Sequence, residues 1–216
     1  MSLSLPQPPS AALRAVLNAL DEPTAVRAVR SSAMRCRPAQ LTPSHALPVH
    51  LLDPAGPAGA AAYRMNSAPL DAARRTGWRF LIRDGEEIVA AAETRETPEG
   101  HTFAYFAGGP YPLSTLRALQ QARLHTATTA TPYLPRLLSV PGHYMTALWL
   151  HPSPSSSSRG YPMPATAPAR NRDLLIPLAP APLGVTAHVP HDAEELLSLL
   201  TIGNDNLSEN LLTAAS

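Results

Sequence analysis

The sequence predicts an α+β domain: a mostly antiparallel sheet of about five to six strands with helices packed on one face, plus an N-terminal helical segment and a Pro-rich arm. Three observations carry this expectation. Three β-prone runs follow one another between Trp78 and Phe106, helical runs lie before and after the strands, and no regular βαβ alternation appears. The chain also holds 25 prolines in 216 residues, more than twice the usual share, so regular elements must lie in the windows between them. The resulting division is residues 1–37 as a helical segment, 38–69 as a Pro/Ala/Gly-rich connector, and 70–216 as the α+β domain, with a Ser/Pro-rich loop at 152–171.

Taken in order, the first element is a short helix after Ser10, a residue suited to capping. Leu13, Val16, Leu17 and Leu20 recur at i, i+3, i+4 and i+7 on one face. Pro23 suits the first turn of a second helix, on which Arg27 and Arg30 stand three apart. From Pro38 to Pro69 the prolines, Gly56, Gly59 and an Ala-rich tract read as an irregular arm that lies along the domain or along another molecule.

Trp78–Arg83 and Glu87–Thr94 flank Asp84-Gly85, the usual sequence of a tight hairpin, and His101–Phe106 continues the meander. Strict alternation would put Phe103 and Tyr105 on one face, opposite Ala104 and Phe106. Gly108-Gly109-Pro110 ends the third strand, and a helix follows in which Leu113, Leu116, Ala118 or Leu119, Gln120 and Arg123 are expected to give an apolar face with polar residues opposite. Arg136–Val140 and Tyr144–Leu150 read as two further strands around Pro141-Gly142. Asp173–Ile176 is a last strand before Pro177, and Asp192 caps a helix whose first turn carries Glu194 and Glu195.

Composition removes several chemistries. All 17 basic residues are arginine, which excludes Schiff-base catalysis, a P-loop lysine and pyridoxal phosphate held covalently by this chain. A formal net charge of +1 lacks the basic surplus of a nucleic-acid binder. Cys36 is alone, so no internal disulfide and no CxxC metal or redox motif can form. No stretch of eighteen apolar residues occurs, and the opening residues carry neither a basic run nor a long apolar one. The expectation is a cytoplasmic protein without a membrane span or secretory signal.

Candidate sites are sparse. His188 and His191, an H-x-x-H pair beside Asp192, lack the third convergent ligand of a metal site, and Pro190 breaks their spacing. His45 and His50 form another pair. Cys36 between Arg35 and Arg37 has flanking charges that favour a thiolate but no identifiable partner histidine. No metal and no cofactor is therefore expected. The leading expectation is a non-catalytic interaction or assembly protein that meets a protein partner or a second copy of itself. Its binding residues would be Leu13, Val16, Leu17, Leu20, Arg27 and Arg30, because so short an amphipathic helix must bury its stripe against something. The alternative is an enzyme or small-ligand-binding domain, with a site from His101, Tyr105 and His143 at one end of the sheet.

Overall fold

The computed structural model describes residues 3–22, 41–53, 69–129, 131–153 and 172–200. Within them run helix α1 (Ser10–Asp21), strand β1 (Leu41–Leu51), strands β2 (Arg74–Asp84), β3 (Glu87–Thr97) and β4 (Gly100–Ala107), and helix α2 (Tyr111–Thr126). Strands β5 (Tyr133–Val140), β6 (Met145–Pro152), β7 (Leu174–Pro177) and β8 (His191–Asp192) follow, and then helix α3, described over 193–200. Arg27, Arg30, Cys36 and nearly all of the Ser/Pro-rich loop lie outside the described residues. None of the described helices is long and apolar enough to cross a membrane.

The fold is α+β, but the sheet is larger than expected and mixed. Eight strands stand in the order β4-β3-β2-β1-β5-β6-β7-β8. All neighbours are antiparallel except β1 and β5, which run parallel over Val49–Leu51 and Leu137–Ser139. The added central strand comes from the segment expected to be an arm. β1 is eleven residues long and pairs with β2 along most of its length despite Pro43 and Pro48. A proline cannot donate to a ladder, and both prolines precede the short stretch in which β1 gains β5 as a second neighbour. Pro135 likewise precedes the part of β5 that meets β1. The boundary drawn at residue 69 therefore does not separate two units, since β1 stands in the middle of the sheet.

Helices cover both faces, not one. Val49 and Leu137 are register partners and point to the face covered by α2, where they pack with Ala118, Leu119, Ala122, Leu148 and Ile176. On the other face, α1 packs Ala12, Val16 and Leu20 against Trp78, Phe80, Ile82, Ala90 and Ala92. Farther along that same face, α3 packs Ala193, Leu196, Leu197 and Leu200 against Leu138, Val140, Met145, Ala147 and Leu175. Expected docking of the α1 stripe on another molecule is thereby corrected: Val16 and Leu20 are buried in their own chain's core and Leu13 is packed on it, while Leu17 is 41% exposed. The N-terminal stretch is anchored too, by a parallel bridge from Leu3 to Tyr133 and a hydrogen bond from Ser4 N to Tyr133 O at 3.2 Å.

The meander β2-β3-β4 forms as its sequence indicates, with a two-residue turn between Asp84 and Glu87 and Gly85 at φ +58°. That left-handed conformation is readily adopted by glycine. β4 departs from strict alternation. Glu93 pairs with Tyr105 but Thr94 with Phe103, so β4 carries one extra residue, Ala104, at a bulge. Phe103 and Phe106 consequently share a face, with ring centroids 4.7 Å apart under α1, and Tyr105 turns to the other side. The buried face of α2 includes Ala118 and Leu119 from the expected set but not Leu113. Ser114, Thr115, Ala118, Leu119, Ala122 and Thr126 are buried, while Leu113 and Leu124 are exposed, since small residues let the helix axis approach the sheet closely.

Candidate functional site

Between α1 and α3, on the face they share, the sheet carries a seam of polar and aromatic side chains. Its positions follow from register. Pro48 is opposite Trp78 on β2, and Arg136 is opposite Trp149 on β6. Pro48 and Arg136 each precede the first pair of the parallel junction, Val49 with Leu137, so they stand level with each other. His50 lies two residues beyond Pro48 and shares its face. His151 lies two beyond Trp149, level with Asp173 just ahead of β7.

Hydrogen bonds and ring contacts hold His50, Arg136, Trp149, His151 and Asp173 together. Asp173 Oδ1 accepts the Trp149 indole N–H at 2.6 Å and the His151 Nδ1–H at 2.8 Å. The Arg136 guanidinium carbon sits 4.7 Å from the centre of the Trp149 ring, a cation–π contact. His50 and His151 meet the same indole edge-on, with centroids at 5.3 and 5.6 Å. Burial, with the Arg136 charge adding to it, pushes the His50 imidazole down to about 4. The Pro48 carbonyl favours its proton without completing a hydrogen bond, and Nδ1 is buried and unpartnered. Trp78 Nε1 is also buried without a partner. Burial lowers Arg136 as well, while the charge of Asp173 works in the opposite direction.

A second polar contact sits on the α2 face. Ser114 Oγ accepts the amide of Ala179 at 2.7 Å and lies 2.7 Å from His188 Nε2. Burial and then Arg117 hold His188 below its ordinary range. The Ser114–His188 contact has the distance of a Ser–His nucleophilic pair, but Ser114 is only 2% exposed and both of its bonds tie α2 to the segment after β7. It is an internal tie. His188 stands at φ +63°, a conformation that this contact helps to hold.

The expected ligand residues are not brought together. His101 and Tyr105 are on edge strand β4, whereas His143 is in the turn between β5 and β6, with β3, β2 and β1 intervening. At about 4.8 Å per strand that separation is roughly 20 Å. The bulge also turns Tyr105 toward Glu93, which is ion-paired with Arg79 at 2.6 Å, and away from the face of His101. His188 and His191 do different work as well: the first bonds Ser114, the second stands on β8 with Nε2 buried and unpartnered. His45 contacts Ser44 Oγ beside a register shift of β1, apart from the seam role of His50. Among the described residues no group of three His, Cys, Asp or Glu side chains could hold a metal ion.

Sequence reasoning missed the seam, although part of it was visible. Trp149 and His151 alternate on a strand and must share a face, and Arg136 breaks an apolar alternation that Leu138 and Val140 continue. Nothing local indicates that His50 joins them or that Trp78 flanks them across β1, because that depends on β1 lying between β2 and β5.

The outer edge of β4 is a further surface. Its eight residues, GHTFAYFA, include no Asp, Glu, Arg or Pro, and among the described residues β4 is the end of the sheet. The opposite end, β8, is two residues long. Comparison of the chain with known protein families, curated proteins and solved structures finds no match.

Proposed function

We propose that this is a non-catalytic interaction or assembly protein whose docking surface is the outer edge of β4. The supporting observation is the chemistry of that edge. Sheet edges offer unpaired N–H and C=O groups, and proteins ordinarily guard them with charge, proline, shortness or a bulge. β8 is short. β4 has only the bulge at Ala104, which bends the edge and selects for a strand of matching shape. Thr102, Ala104 and Tyr105 are exposed along it, and α1 supports its inner face.

The occupant is a second copy of the chain. Antiparallel pairing of an edge with itself satisfies a two-fold axis, and β4 lacks Asp, Glu and Arg residues that would repel their counterparts. Residues Arg27 and Arg30, the other expected contacts, do not enter this proposal. Solution mass decides it. The full chain is expected to behave as a dimer at micromolar concentration, and Thr102→Lys together with Ala104→Pro to yield a folded monomer. A monomeric wild-type chain, or a dimer indifferent to both substitutions, overturns the proposal.

A further inference from the structure

The seam between α1 and α3 has an imbalance of hydrogen-bonding groups. Trp78 Nε1 is a donor only, on a residue 4% exposed, and it has no acceptor. His50, 9% exposed, has an unpartnered Nδ1 on the same face. Arg136, also on that face, carries five N–H donors and forms no ion pair with a described carboxylate. Its guanidinium carbon lies over the Trp149 ring, a contact that occupies none of its N–H donors as hydrogen bonds. The nearby carboxylate, Asp173, already accepts from Trp149 and His151. The Trp78 indole and the Arg136 guanidinium thus present N–H donors that no described carboxylate accepts.

We propose that the carboxylate group of a small organic ligand binds on this face of the sheet at Pro48, between Trp78 on β2 and Arg136 on β5. Adjacent strands are about 4.8 Å apart, so the backbones bearing Trp78 and Arg136 stand roughly 10 Å apart with Pro48 between them. A guanidinium edge matches a carboxylate with two parallel hydrogen bonds. The charge supports a monoanion over a dianion: Arg136 offers one positive charge, and Asp173 stands close enough to repel a second negative one. His151 and Asp173, with side chains 35% and 28% exposed, mark the solvent-facing end of the seam.

The test follows the two indole N–H resonances of the full-length 15N-labelled chain, with Trp78→Phe assigning which is which. Sodium acetate is titrated against sodium chloride at equal ionic strength, and inorganic phosphate in a parallel series. The expected result is a saturable shift of the Trp78 indole with acetate that chloride does not reproduce and phosphate produces more weakly. Arg136→Gln should weaken acetate binding at least about tenfold. If that variant loses its dispersed amide spectrum, Arg136→Lys, which retains the charge and loses the fork, should still weaken acetate several-fold. No saturable shift, an equal shift with chloride, tighter binding of phosphate, or unchanged affinity in the folded Arg136 variant overturns the assignment.

Discussion

His50 shows how one side chain couples the seam to stability. Burial first, and then Arg136, Arg75 and His151, lower its pKa from 6.5 to about 4. The unfolded chain therefore binds a proton in the window between these values that the folded chain refuses. Stability is complete above about pH 6.5 and falls as pH drops toward 4, by roughly 3 kcal/mol from this residue alone. His50→Gln should flatten that part of the stability curve, measurable by urea unfolding at pH 7, 5.5 and 4.5. Unchanged pH dependence in the variant would place the effect elsewhere. Gly77 is a second single-residue constraint, since a Cβ there would lie 1.8 Å from the Thr94 carbonyl oxygen. Gly77→Ala must push β2 from β3 and is expected to cost at least the 1–3 kcal/mol typical of overpacking, read as a lower denaturation midpoint.

At the scale of elements, α1 was legible as a helix and its stripe as a buried surface, but not which surface buries it. Periodicity places Val16 and Leu20 on a common side, whereas the acceptor is assembled from β2, β3 and β4. Leu20→Ala should cost roughly 2–5 kcal/mol, as for other large-to-small core changes, while Leu17→Ala on the exposed side should stay within about 0.5 kcal/mol. Equal effects in thermal unfolding would contradict the docking of α1 on its own sheet. β4 shows a different limit. Its apolar residues were legible, yet the extra residue at Ala104 that brings Phe103 beside Phe106 is set by pairing with β3. In α2 the expected Ala118 and Leu119 are buried but Leu113 is exposed, and Ala122 is buried in the same face.

Among the described residues the sheet is two antiparallel groups of strands, β4-β3-β2-β1 and β5-β6-β7-β8, joined by the short parallel junction of β1 and β5. So brief a ladder is a weak link by itself. Packing closes it: α2 buries Leu47 and Val49 from one group together with Leu137, Leu148 and Ile176 from the other. The two groups should therefore unfold together. Trp78 and Trp149 report on opposite sides of the junction, so Trp149→Phe and Trp78→Phe variants should each leave a fluorescence probe with the same midpoint after correction for the variant's own stability. Two separate transitions would show that the junction, not the shared core, sets cooperativity.

The sequence by itself determined the local elements whose signals are short in range: the capped helix after Asp192, the hairpin at Gly85, the stripe of α1 and the α+β class. Asp192 Oδ1 does accept the amides of Glu194 and Glu195, as its position before the helix requires. Only the tertiary structure decided that a proline-bearing stretch becomes the central strand, that helices cover both faces, and that His50, Arg136 and Trp149 meet while His101 and His143 do not. The physical reason is that capping and turn preferences act between residues a few positions apart. Strand order and register instead depend on burial shared among distant segments, and a proline excluded from one side of a ladder is acceptable wherever that side has no neighbour.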